Sequence, residues 1–229
     1  MADSHPTPLR SLNPQSVPVL GTDAHLPVVP LHQQSAQALR QRFSHPPIWV
    51  PDPFASTAPR PEAPVPAAVL VGIVQRDVPT VLLTQRTAHL PTHAGQIAFP
   101  GGRQDAQDRS PIETALREAQ EEVGLDPRGV EVLGCLPEST TGSVYVITPV
   151  VALVQSNSEL KANPGEVAEI FEVPLAHVLN PAHHRRHALQ TDAGLRTWFS
   201  MPYQDDAQER FIWGATAAIL RNLYVLLRA

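Results

Sequence analysis

Arg117-Glu118-Ala119-Gln120-Glu121-Glu122-Val123-Gly124-Leu125 sets three carboxylates at i, i+3 and i+4. On a helix those spacings share one face. Like charges placed this way repel by about 0.2–0.5 kcal/mol per pair, so a helix gains nothing from them alone. A hard divalent cation such as Mg2+ makes use of them, because it takes carboxylate oxygens and fills the rest of its shell with water and phosphate. A glutamate cluster is otherwise a solvated acidic face. The Gly101-Gly102 pair upstream, Arg117 beside the first glutamate and Gly124 closing the helix favour the metal reading here.

Several elements must position this helix. Ser110 is its expected N-cap, with Pro111 at the first helical position and Glu113 at the third, a capping box leading into a helix that runs to Val123. Before it, AAVLVGIVQ from Ala67 is a continuous apolar run that reads as a buried strand. TVLLTQR (80–86) follows after a turn and makes a hairpin with it. A loop holding His89, Pro91, His93 and Gly95 leads to QIAFP and the double glycine. Further strands are expected at 130–136, 145–154 and 197–203, and residues 166–179 mix a short strand with a helix start. RFIWGATAAILRNLYVLL (210–227) reads as a long amphipathic helix that would serve a core or a dimer equally. The total is a mixed sheet with at least two helices, an α/β sandwich.

Composition bounds the rest. The 229 residues suit one compact domain with an arm, and a hydrophobic content of 42% supports a core. A net charge of −5 and a pI near 6.0 argue against a broad nucleic-acid surface. No apolar run reaches membrane-spanning length. More than half of the 25 prolines precede residue 67. Residues 1–66 therefore form an expected Pro-rich arm, mobile or an irregular strap over 1–30, with a short helix near 32–44 and an extended linker from Pro51 to Pro66. Residues 67–229 form the main domain. The single cysteine, Cys135, excludes a disulfide framework and reads as a buried packing residue. No secretory pattern opens the chain, which makes the cytoplasm the default location.

At Gly102, Arg117, Glu118, Glu121, Glu122 and Gly124 the chain resembles the Nudix hydrolases. Asp108 stands where that pattern carries a glutamate, and the interval from Gly102 to Arg117 is one residue longer than the common form. A second stretch, LLTQRTAHLPTHAGQIAFPGG (82–102), is similar to the coenzyme A pyrophosphatases at Leu82, Leu83, Thr84, Arg86, Gly95, Phe99, Pro100, Gly101 and Gly102. Thr87 replaces Ser or Ala there, and Pro91 replaces an Arg.

The resemblance implies a Nudix fold, a mixed sheet sandwiched between helices, over about residues 67–228. It implies hydrolysis of a nucleoside diphosphate derivative: coenzyme A would give 3′,5′-ADP and 4′-phosphopantetheine. NADH, ADP-ribose or a similar dinucleotide is the alternative substrate, and a silent nucleotide-binding module the alternative class. Mg2+ or Mn2+ would neutralise the pyrophosphate and acidify a bound water. The implied metal ligands are Glu118, Glu121 and Glu122, with Arg117, Glu118 and Glu121 as catalytic residues. Arg117 either binds phosphate or braces the carboxylates, and bracing is favoured. Arg86, His93, Gly101 and Gly102 are the expected substrate-binding residues; His93 is equally suited to a loop hydrogen bond, and Arg86 offers phosphate a bidentate fork. Asp105 reads as a turn residue. The general base is Glu118, or Glu166 or Glu169 from a distant loop. The HHRRH run (183–187) reads as a solvated basic turn before a 3′-phosphate clamp, and Trp198 and Trp213 as core before adenine stacking. A homodimer is compatible with all of this, a membrane is not.

Overall fold

The computed structural model of the chain describes residues 13–55, 62–89, 93–140, 144–191, 194–206 and 208–229. In chain order its elements are β1 (Gly21–Thr22), α1 (Ala36–Ser44), β2 (Val65–Val74), β3 (Thr80–Arg86), β4 (Ile97–Ala98), β5 (Gly101–Arg103) and α2 (Pro111–Val123). Then follow β6 (Val130–Cys135), β7 (Ser139–Thr140), β8 (Tyr145–Val154), β9 (Val167–Pro174), α3 (Leu175–Val178), β10 (Arg185–Thr191), β11 (Gly194–Gln204), β12 (Glu209–Trp213) and α4 (Gly214–Arg228).

The unbroken apolar run of β2 has a physical reason: both of its faces are covered. Val71 and Ile73 join one core with Val81, Leu83, Val151 and Leu153, against α4. Ala68, Leu70 and Val74 join the other with Leu82, Val150 and Ala152, against Ala115, Ala119 and Val123 of α2. β2 pairs in parallel with β8, from Val65 opposite Tyr145 to Val74 opposite Val154. A two-sided parallel pair of this kind loses the usual alternation of polar and apolar residues. Each buried Val or Leu contributes about 1.5–3 kcal/mol before entropy is counted. Around this pair the mixed sheet runs β4-β3-β2-β8-β6, with β5 on β2, β7 on β8 and β9 on β3.

A second sheet, β1-β10-β11-β12, is entirely antiparallel. Its strand β12 takes RFIW out of the long helix expected at 210–227. Arg210 and Ile212 alternate as buried positions there, and Gly214 at φ 61 supplies the left-handed turn into α4. α4 then serves the core, with Leu220, Leu223 and Leu227 buried within this one chain.

The N-terminal segment is docked onto this frame. β1 pairs with β10, Leu39 of α1 is wholly buried in the larger core, and Phe54 meets Phe199 edge-on at 5.0 Å. The segment from Pro51 is thereby packed up to Ala55, where an extended linker was expected; residues 56–61 lie outside the described set. The HHRRH run is likewise no solvated turn. His184 and His187 are buried and Arg186 pairs with Asp23 at 2.9 Å, because the run leads into the middle of a sheet. Cys135, expected inside, is exposed near the end of β6. Among the described residues no helix is long and apolar enough to cross a membrane.

Candidate active site

α2 begins as the sequence requires. The Ser110 hydroxyl accepts from the Glu113 N–H at 3.2 Å, and Pro111 occupies the first turn, where its missing N–H costs nothing. The other half of the capping box does not close on Ser110: the Glu113 carboxylate accepts from the Arg109 N–H at 2.8 Å and pairs with the Arg109 guanidinium. Gly124 ends the helix at φ 67, its N–H reaching the Gln120 carbonyl at 3.0 Å. Two carbonyls of the last turn are met from outside: Lys161 N–H donates to Val123 and Asn163 N–H to Glu122, at 2.9 and 2.8 Å. The loop ahead of β9 is thus fastened to the end of the glutamate helix.

Gly101 and Gly102 do different work. A Cβ on Gly101 would lie 2.4 Å from the Ala68 carbonyl and 2.6 Å from the Val69 Cα, so its lack of a side chain admits β2. A Cβ on Gly102 would lie 2.5 Å from the Glu118 carboxylate, so that residue makes room for the glutamate. The Gly101 N–H donates to Glu122 Oε2 at 3.1 Å. The room these two glycines leave is therefore taken up by the chain's own strand and carboxylates.

The three glutamates divide. Glu122 is 3% exposed, with the Gly101 N–H on one oxygen and Arg86 Nη1 at 3.4 Å from the other. Burial lifts its carboxyl to about 7; the Gly101 N–H and Arg86 pull it back, and the charges of Glu118 and Glu166 push it further up. Glu118 is half-buried and raised for the same first reason, with Arg117 opposing. Glu121 turns outward and meets Arg117 Nη1 at 3.1 Å.

Arg117 braces. Its guanidinium holds Asp108 through Nε at 3.1 Å and Nη2 at 2.9 Å, Glu118 at 3.0 Å and the Arg103 carbonyl at 3.1 Å. Hydrogen bonding from Arg117, joined by the Asp105 N–H and the Thr114 hydroxyl, holds the Asp108 carboxyl down at about 2. Asp108 is thus an anchor of the brace, and Asp105 a turn residue. His93 sits in the left-handed region at φ 56 with Nδ1 3.0 Å from Gln96 Oε1, a loop contact. Pro91 lies outside the described residues.

The two glutamates expected on a distant loop separate: Glu169 lies within β9, paired opposite Gln85, and Glu166 just before that strand. Glu169 is tied to Arg210 by bonds of 2.6 and 2.7 Å. Glu166 acts on Glu118 and Glu122 and offers its carbonyl to the Thr87 N–H at 2.9 Å. The turn signal Asn163-Pro164-Gly165 just before it marked this position in the sequence. Trp198 stacks on His187 at 5.5 Å in the second sheet.

A divalent cation suits this donor set. Glu118 and Glu122 are drawn out of water beside Glu166, all three repel one another, and Arg86 answers Glu122 only at long range. Among the described residues no three His, Cys, Asp or Glu side chains form a ready cage, and Glu121 is held by Arg117.

The chain matches the NUDIX domain model over residues 64–193. It is 48% identical over 157 residues to a protein of Pectobacterium atrosepticum described as an uncharacterized Nudix hydrolase NudL, covering 69% of this chain and 80% of that one. A protein of the same description from Salmonella paratyphi B is 44% identical over 158 residues, with the same coverage. Among solved structures, a C. elegans Ap4A hydrolase is similar at a TM-score of 0.42 and 20% identity, over 52% of this chain and 85% of that one. The domain match and the two relatives give the class, a hydrolase acting on pyrophosphate bonds. The chain belongs to the Nudix family, whose hydrolases generally use divalent metal ions.

Proposed function

We propose that the protein hydrolyses the diphosphate of coenzyme A or one of its derivatives to 3′,5′-ADP and 4′-phosphopantetheine, with Mg2+ or Mn2+. The observation that carries this reading is residues 82–102: the coenzyme A pyrophosphatase-like stretch brings Arg86 and Gly101 to the two oxygens of Glu122. Glu118, Glu121 and Glu122 would hold the ion. The bound ion supplies charge neutralisation and an acidified water. Arg86 takes the substrate phosphate with its forked guanidinium. Arg117 keeps Glu118 in place through Asp108. Glu166, free of the arginine that occupies Glu169, takes the proton of the attacking water.

The test is hydrolysis of coenzyme A, NADH and ADP-ribose side by side under Mg2+ and Mn2+ titration. Coenzyme A should be cleaved best, and Glu122→Gln should lower the rate by about a hundredfold or more, since even outer-shell changes at metal sites cost 10–100-fold. Preference for NADH or ADP-ribose would move the substrate to another nucleoside diphosphate derivative. A response flat in metal for all three would make this a nucleotide-binding module.

A further inference from the structure

Arg86 stands at the end of β3, where the ladder to β9 shifts register between Gln85 and Arg86. Its side chain is 23% exposed, and its Nε is buried without a hydrogen-bond partner. Among the described residues the guanidinium has one side-chain partner, Glu122, reached by a single nitrogen at 3.4 Å. A charge-assisted pair normally closes to about 2.7–2.9 Å, and arginine has five N–H donors to satisfy. The group is therefore held near the site with most of its donor capacity unspent. Glu122 is the mirror case: among the described residues one oxygen is met by the Gly101 N–H and the other only by this long contact.

We propose that Arg86 and the divalent cation are alternative counter-charges for Glu122, so that metal binding releases Arg86 to the substrate diphosphate and the two ligands bind in that order. This rests on the reading of Arg86 as the phosphate ligand. With no ion, the guanidinium partly neutralises Glu122 and is withheld from phosphate. An ion on Glu122 cancels that attraction, and the five donors turn to the incoming anion. A residue that serves two partners in turn couples their binding, and the coupling is reciprocal.

The experiment uses the full chain freed of metal with EDTA and inorganic pyrophosphate as the probe, its binding measured by calorimetry. Glu122→Gln should tighten pyrophosphate binding by about threefold or more, within the range of coupling seen between contacting charges. The same change made on Arg86→Gln should give a clearly smaller gain, because the residue being released is gone. Equal gains in the two backgrounds would mean that removing a carboxylate merely lowers repulsion, and would overturn the proposal. A second measurement needs no Glu122 variant: Mn2+ binding followed by electron paramagnetic resonance without nucleotide. Arg86→Gln should bind Mn2+ more tightly than the wild-type protein, and an unchanged or weaker affinity would overturn the proposal. Both readouts are independent of turnover, so failure to cleave coenzyme A would refute the substrate and leave the exchange standing.

Discussion

Gly101 and Gly102 are neighbours of one type, and the structure gives them opposite reasons to be glycine. An alanine Cβ at 101 runs into the backbone of β2, which cannot step aside without breaking its ladder to β8. At 102 it meets only the far end of the Glu118 side chain, which can rotate away. Gly101→Ala should therefore cost stability, about 1–3 kcal/mol as overpacking does, with a lowered melting temperature. Gly102→Ala should keep its melting temperature close to wild type and lose hydrolysis, because the displaced carboxylate is a proposed metal ligand. Thermal melts and rates on both variants check the contrast; equal melting temperatures would refute it. At this scale the sequence was legible in type and blind in partner. The i, i+3, i+4 spacing put three carboxylates on one face, but it could not say that Arg117 would draw Glu121 outward while Glu122 turned in under Gly101.

At the scale of elements, α2 is held at three places: its cap at Ser110, the brace from Arg117 to Asp108, and the loop bonds to Val123 and Glu122. Asp108→Asn removes the charge that Arg117 grips with two nitrogens, and hydrogen bonds to charged groups contribute about 1.5–3 kcal/mol. Stability to urea should fall by about that much, and hydrolysis should fall with it as Glu118 loosens; an unchanged urea midpoint would show the brace to be idle. The helix itself was legible because Ser110, Pro111 and Gly124 are local signals that tertiary packing reinforces. β2, β3 and β8 were legible because burial on both faces leaves an uninterrupted apolar run. Of the second sheet only β11 was, through the strand expected at 197–203. Its strands mix polar and apolar residues, and RFIW runs into an apolar helix across Gly214, whose left-handed turn no periodicity records.

For the whole molecule, a second group of buried charges joins α4 to the docked N-terminal segment. Arg221 of α4 pairs with Asp23 at 3.0 Å and Asp52 at 2.8 Å, and donates to His184 Nδ1 at 3.0 Å. His184, wholly buried, donates from Nε2 to the Val178 carbonyl at 2.8 Å, which fixes it as the neutral tautomer. Burial first, then the Arg221 charge, brings its imidazole down to about 4, and burial with His183 does the same to His177. Unfolded histidine titrates near 6.5. The folded form thus binds fewer protons than the unfolded one between about pH 6.5 and 4. The stability these two contribute is complete above that window and lost as pH falls through it, by up to about 1.4 kcal/mol per pH unit for each. The raised carboxyls of Glu122 and Glu118 oppose this, gaining stability as pH falls, so the decline in melting temperature from pH 7.5 to 4.5 should be steeper in Glu122→Gln than in the wild-type protein; a level profile in that variant would refute the histidine assignment.

The docked N-terminal segment has a consequence for how the chain comes to be made. Two of its anchoring partners lie far along the sequence: Arg221 is 169 residues from Asp52, and Tyr224, whose hydroxyl donates to the Pro27 carbonyl at 2.8 Å, is 197 residues away. Closing loops of that length is entropically dear and slow compared with local pairing. During translation Pro27 and Asp52 are made well before the α4 groups they meet, and that docking waits for α4 to be synthesised. Refolding should therefore end with a slow step in which the segment holding Pro27 and Asp52 docks onto α4, and a chain stalled before α4 would be one to aggregate.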